Sequence, residues 1–130
     1  MNVLVDTCVW SQVLRRKEPD AALGRTLHDL IQAGRTVLIG PIRQELLSGV
    51  AKEAQFALLK ERLSVFKDLP LVTRHFIKAA EFSNSCRKHG IQGSHTDFLI
   101  CSVAHLEKLD VFTTDSDFTR FQKFLPIKLF

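Results

Sequence analysis

The chain has 130 residues, 45% of them hydrophobic and 25% charged, the balance of an ordinary globular domain with enough apolar residues for one continuous core. Lysine and arginine outnumber aspartate and glutamate by 18 to 14, a net charge of +4 that favours a polyanionic partner without specifying one. Three cysteines in no C-x-x-C arrangement argue against a disulfide framework, no apolar run approaches membrane-spanning length, and the opening MNVLVD lacks the basic region of a secretory signal, so a cytoplasmic location is expected.

In chain order, residues 2–5 (NVLV) form an apolar run closed by Asp6, as in a buried parallel strand. Thr7 then caps a short helix through Trp10, Val13 and Leu14, interrupted by Arg15, Arg16 and Lys17. Asp20 restarts a helix whose Leu23, Leu27, Leu30 and Ile31 recur at helical spacing, and Gly34 stops it. A second β-type run, Thr36–Ile39, leads into Gly40–Pro41, with proline placed to open the helix that carries Glu45, Leu46 and Leu47 up to Gly49. Phe56, Leu59, Leu63 and Phe66 predict an amphipathic helix from Lys52 to Phe66, and Asp68–Pro70 separates it from a strand-like stub at Leu71–Val72.

Thr73 reads as the N-cap of a helix carrying Phe76, Ile77, Ala80 and Phe82, which closes with Arg87–Lys88–His89 and Gly90. Ser94 opens the next helix, Val111–Thr114 reads as a short strand ending at Asp115, and residues 127–130 supply a last edge strand. Strands alternating with helices, with no repeat or linker, predict one α/β domain over residues 1–130 with a central parallel sheet covered on both faces.

Ligands of an open parallel sheet bind beyond the carboxyl ends of its strands, which gives weight to the acids at those ends. Asp6 and Asp115 each close a β-type run and have hydroxyl neighbours, Thr7 beside the first and Thr113 and Thr114 before the second, suited to orienting carboxylates or bound water. Glu45 and Asp97 are expected in the first turns of helices that start near the same edge. Carboxylates brought together resist joint ionisation, and a hard divalent cation such as Mg²⁺ or Mn²⁺ removes the conflict while supporting phosphodiester hydrolysis; zinc would want thiols and imidazoles instead. Taken singly, Asp97 is equally a capping-box partner of Ser94, and Glu45 a dipole-favoured acid at a helix start.

The segments VLVDTCVW, PIRQELLSG, HGIQGSHTDFLICSVA and VFTTDSDFTRF, in that order, resemble the PIN-domain nucleases, and among them the VapC-type toxins of toxin–antitoxin pairs. The resemblance covers nearly the whole chain. It implies a three-layer α/β/α sandwich, Mg²⁺- or Mn²⁺-dependent endoribonuclease activity, frequent homodimerisation and a separate antitoxin protein that places a basic side chain among the acids. It maps the metal-binding and catalytic roles onto Asp6, Glu45, Asp97 and Asp115, with Asp117 able to share the last role. A housekeeping RNA-processing nuclease is the nearest alternative.

RNA approaching an acidic centre needs cations around it, and Arg43, Arg15 and Arg16 are the candidates for phosphate contact, with Arg43 first because it lies close to Glu45. The ten phenylalanines sit at helical spacing and read as core or interface residues, and the five histidines form no metal-ligand pattern. A phosphoacceptor enzyme that uses Asp6 as its nucleophile would want a second acid two positions on, where Cys8 stands. A non-catalytic binding module would have no need of all four acids.

Overall fold

The computed structural model describes all residues from Met1 to Phe130. The first strand, β1 (Val3–Val5), has no exposed surface at any of its three residues, the state expected of β-branched and aliphatic side chains covered on both faces. It is followed by α1 (Thr7–Leu14), α2 (Ala21–Gln32), β2 (Thr36–Val37), α3 (Gly40–Ser48), α4 (Glu53–Leu63), α5 (Thr73–Lys88), α6 (His95–Glu107), β3 (Asp110–Phe112) and α7 (Asp117–Gln122).

The sheet has the order β2-β1-β3 and both pairings are parallel, with Leu4 opposite Val37 on one side and Val111 on the other. Single parallel bridges lengthen it outward, Leu38 to Asp68 beyond β2 and Val111 to Leu129 beyond β3. The chain leaves β1 toward one edge and returns across it to reach β3 on the other side. Right-handed crossovers made in opposite directions put their helices on opposite faces, giving the α/β/α layering. The directions part between β1 and β3, which makes the carboxyl end of that pair the topological switch point.

Local chemistry sets most of the boundaries. The Asp20 carboxylate accepts from Leu23 N at 2.9 Å and starts α2; Gly34 and Gly90, at φ +66 and +73, follow the ends of α2 and α5, where a Cβ would be strained. Pro41 lies in the opening turn of α3, and Ser94 and Asp97 exchange hydrogen bonds of 3.0 Å that start α6.

Five expectations need correction. Thr7 is the first residue of α1 and not its cap, because the Asp6 carboxylate accepts the Thr7 N–H and takes the N-cap position. Leu71–Val72 is not a strand; the added pairing forms earlier, where Leu69 N donates to Leu38 O at 2.8 Å. Thr73 is the first residue of α5 and not its cap, because the His75 ring Nδ1 accepts the Val72 N–H at 3.0 Å. The helix expected up to Phe66 ends at Leu63. The third strand ends at Phe112, so Asp115 lies in the loop that follows and does not close the strand directly.

One cluster of 28 buried apolar residues fills the interior, and only Asp6, His75 and Ser102 among the buried residues are polar. Two of these three join α5 to α6. The Ser102 hydroxyl donates to His75 O at 2.8 Å, and the imidazole, its Nδ1 occupied by Val72 N–H, is left with Nε2 to donate to Glu107 Oε1 at 2.8 Å. Every polar atom of the imidazole is thus satisfied inside the protein, as burial requires. No helix is long and apolar enough to cross a membrane.

Replacing His75 by leucine strands the Val72 N–H and takes away one of the two donors on Glu107 Oε1, which keeps Arg74. A loss of about 1–3 kcal/mol is expected, against less than about 0.5 kcal/mol for Arg74→Ala, whose exposed side chain pairs with the same Glu107. Urea unfolding midpoints of the two variants check this.

Candidate active site

The third buried polar residue stands at the switch point. Asp6 N donates to Phe112 O at 2.9 Å, the last hydrogen bond between β1 and β3, so the Asp6 side chain emerges where the sheet ends. Three donors hold its carboxylate: Thr7 N at 2.7 Å on Oδ1, and Thr113 Oγ1 at 2.8 Å and Cys8 Sγ at 3.5 Å on Oδ2. No cation pairs with it. Burial pushes its pKa above the ordinary 3.8, and the charge of Asp97 adds to the rise, while the three hydrogen bonds oppose it.

Asp97 lies half-buried in the first turn of α6, one carboxylate oxygen committed to Ser94 N. Burial raises its pKa as well, and the charges of Asp115 and Asp117 contribute in that order. Asp115 Oδ1 accepts from Asp117 N at 2.9 Å, closing a turn just before α7, and its own N–H donates to Thr113 Oγ1 at 3.0 Å. Thr113 therefore ties Asp6 to the Asp115 loop through one hydroxyl. Asp117 is paired with Arg120, which offsets its charge and leaves Asp115 the less compensated of the two.

Glu45 is exposed and sits in the second turn of α3, later than the first-turn position expected from the sequence, so dipole stabilisation does not explain it. It lines an open cavity of about 500 Å³ with Thr7, Arg15, Pro41, Gln44, Ser48 and Thr96. Thr7 and Thr96 are the chain neighbours of Asp6 and Asp97, so this cavity brings Glu45 next to the segments that carry two of the other acids, although Glu45 is the only acid that lines it. The Thr7 hydroxyl oxygen is buried with no hydrogen-bond partner, an uncommon state for a buried polar atom. No three acidic, histidine or cysteine side chains approach closely enough to enclose an ion between them as they stand.

Arg43, the first-ranked phosphate contact, is turned into the fold. Its Nε donates to Asp68 at 3.0 Å, Nη1 to Leu63 O at 2.9 Å and Nη2 to Phe66 O at 2.6 Å, so it closes the end of α4 and leaves little for a ligand. Arg15 reaches across from the end of α1 to Gly49 O at 2.9 Å and lines the cavity of Glu45, whereas Arg16 is exposed and lies outside that cavity.

Two residues at the site escaped the sequence reading. Cys8, taken for a core thiol, is only half-buried and accepts from Thr114 N at 3.3 Å besides its contact with Asp6. Gln12, one turn further along the same face of α1, donates to Thr114 Oγ1 at 2.7 Å. Together they hold the loop after β3 against α1. The available signal was their i and i+4 spacing behind Asp6; nothing local reveals that the facing loop comes from more than a hundred residues away.

The PIN domain family model matches residues 3–123. Among solved structures, FitAcB from Neisseria gonorrhoeae is similar with a TM-score of 0.81 and 24% identity, over 98% of this chain and 96% of that one. VapBC2 from Rickettsia felis, bound to a DNA fragment from their promoter, is similar with a TM-score of 0.78 and 18% identity, over 100% and 98%. A toxin–antitoxin complex from Klebsiella pneumoniae follows with 0.61 and 19%, over 88% of each chain. At these identities the structures share the fold. No curated protein matches the sequence.

The raised acids have a direct consequence for stability. Between pH 3.8 and their higher folded values, the folded chain binds more protons than the unfolded one, so their contribution to stability falls as pH rises through that window and is not regained above it. In the presence of EDTA, Asp97→Asn is expected to lose less stability than the wild type between about pH 4 and 7. Urea unfolding at a series of pH values measures the difference, and parallel profiles would contradict it.

Proposed function

Because the chain belongs to the PIN-domain family, we propose that it is a divalent-cation-dependent endoribonuclease, the toxin of a type II toxin–antitoxin pair. One observation carries the reading: Asp6 is buried at the switch point without a counter-cation, its charge opposed by Asp97, which is opposed in turn by Asp115 and Asp117.

The donor set suits a hard cation. All the candidate ligands, Asp6, Glu45, Asp97, Asp115 and the less available Asp117, are carboxylates; Glu45 lines a polar cavity beside Thr7, the neighbour of Asp6, whose hydroxyl is buried without a partner. Mg²⁺ or Mn²⁺ takes a few carboxylates and completes its shell with water, so a closed three-residue cage is not required. When bound, such an ion neutralises the acids, makes water a stronger nucleophile and draws charge from a phosphodiester.

The protein's own part is positioning. Thr7 N, Thr113 and Cys8 fix the plane of the Asp6 carboxylate; the capping box fixes Asp97; Thr113, with Cys8 and Gln12 acting on Thr114, fixes the loop of Asp115. Arg15, beside Glu45, is placed to offset the charge of an incoming phosphate. Hydrolysis by water needs no ribose 2′-hydroxyl, so the products carry 5′-phosphate and 3′-hydroxyl ends.

The likeness to toxin–antitoxin structures supports a cognate antitoxin as partner; in this reading the antitoxin reaches the acids with a basic side chain. Half-exposed Phe76 and Ile77 on α5 offer apolar surface for a homodimer. In this reading residues 1–130 act as one domain in the cytoplasm.

The test is cleavage of unstructured RNA by purified chain with Mg²⁺ or EDTA, with sequencing of the ends. Cation-dependent cutting with 5′-phosphate products is expected, with Asp6→Asn reduced at least about 100-fold and Thr113→Val about 10-fold. Cyclic-phosphate ends, or an Asp6→Asn chain that cuts as well as wild type, would refute the proposal.

A further inference from the structure

Beside the cavity of Glu45 lies a second cleft, of about 480 Å³, between the end of α1 and the start of α4. Five of its lining residues are cations, Arg15, Arg16, Lys17, Lys52 and Arg62, and none is an acid. None of the five takes part in an ion pair. In a chain whose whole net charge is +4, that is a local concentration of unneutralised positive charge whose self-repulsion an anionic ligand would relieve. We propose that this cleft binds the phosphate backbone of a single RNA strand on one side of the bond being cut. The proposal rests on the ribonuclease reading and extends it to a subsite.

Three further features fit a polyphosphate chain. The cleft opens at the first turn of α4, where Lys52 is the N-cap and no side chain accepts from the free N–H groups, leaving backbone donors for an anion, while Glu53 in the same turn already answers the helix dipole. It also adjoins Glu45, since Arg15 lines both it and the cavity of that acid. Gly49 keeps this junction in place: a Cβ there would collide with the Arg15 guanidinium, which lies against the end of α3 and donates to Gly49 O at 2.9 Å. A strand whose reacting phosphate stands at the acids would therefore meet cations immediately alongside. They offset the repulsion that four carboxylates exert on any nucleic acid. Arg43 cannot serve this purpose, being committed to Asp68 and two carbonyls, so the duty falls on the residues of the cleft.

The experiment measures binding of a fluorescent ten-nucleotide unstructured RNA by anisotropy at several salt concentrations. It uses the full chain carrying Asp6→Asn, so that cleavage does not intervene. Lys52→Gln/Arg62→Gln removes two exposed cations of the cleft, and Lys123→Gln/Lys128→Gln makes the same charge change at exposed positions outside it. The cleft pair is expected to flatten the dependence of log K on log salt by about 1.4, roughly 0.7 for each lost phosphate contact with a single strand. It should weaken binding at least about 10-fold at low salt, and the outside pair should leave the slope unchanged. Equal effects of the two pairs would assign the change to net charge and overturn the site, as would an unaltered slope for the cleft pair. Loss of binding to a polyglutamate peptide with RNA binding intact would give the cleft to an acidic protein segment and overturn it too. A wild-type chain that cuts RNA while the cleft pair keeps its slope defeats only the subsite. A chain that binds with the expected slope and never cuts defeats only the ribonuclease reading.

Discussion

Asp6 is an aspartate buried at the end of the central strand, held by donors too weak to offset the loss of water around its charge, and facing a second acid whose charge opposes its own. Burial without a counter-cation is unfavourable for any carboxylate. The position nevertheless follows from the backbone: Asp6 makes the last hydrogen bond of the β1–β3 ladder and caps α1, so its side chain has nowhere else to go. The rest of the molecule arranges itself around that unresolved charge. Asp97 and Asp115 approach it from α6 and from the loop after β3, and Glu45 of α3 lines a cavity with Thr7 and Thr96, the chain neighbours of Asp6 and Asp97.

Rigid surroundings make such an arrangement sustainable. Both flanking strands are parallel partners of β1, and the apolar cluster beneath them admits no other charged group. The long pair α5 and α6 is joined by His75, Ser102 and Glu107, which seats Asp97 at the head of a helix that cannot readily shift. On the other side, Cys8, Gln12 and Thr113 fasten the only irregular segment that contributes an acid. Fixed carboxylates of this kind are preorganised for a cation and for the charge that develops on a phosphate, and they carry that preorganisation as a cost in the cation-free fold.

Features governed by neighbouring residues could be read from the sequence with their causes. The Asp20 cap, the glycines after α2 and α5, the proline at α3 and the Ser94–Asp97 box all depend on contacts within four residues. The apolar run closed by Asp6 likewise marked the central strand and its terminal acid. Features that depend on the other side of the fold were misread or unseen. The pairing at Asp68 is decided by where α4 delivers the chain beside β2, which no local propensity at Leu71–Val72 reports. Arg43 is spoken for by two carbonyls at the end of α4, and Cys8 meets a loop more than a hundred residues distant. The acids were recognisable because a charge ending an apolar strand is anomalous in itself, whereas their supporting hydroxyl, thiol and amide groups look ordinary until the sheet assembles.

The central claim is that the carboxylates around Asp6 are held in mutual conflict that a divalent cation resolves. Thermal unfolding of wild type and Asp6→Asn, each in EDTA and in saturating Mg²⁺ or Mn²⁺, measures this directly and needs no substrate. Asp6→Asn should unfold at a higher temperature than wild type in EDTA, because a neutral amide at that position escapes the desolvation and the repulsion. Cation at about 100 times its Kd should raise the wild type by roughly 5–10 °C and the variant by far less. A wild type indifferent to cation, together with a variant destabilised in EDTA, would mean that Asp6 is a structural cap and would contradict the account.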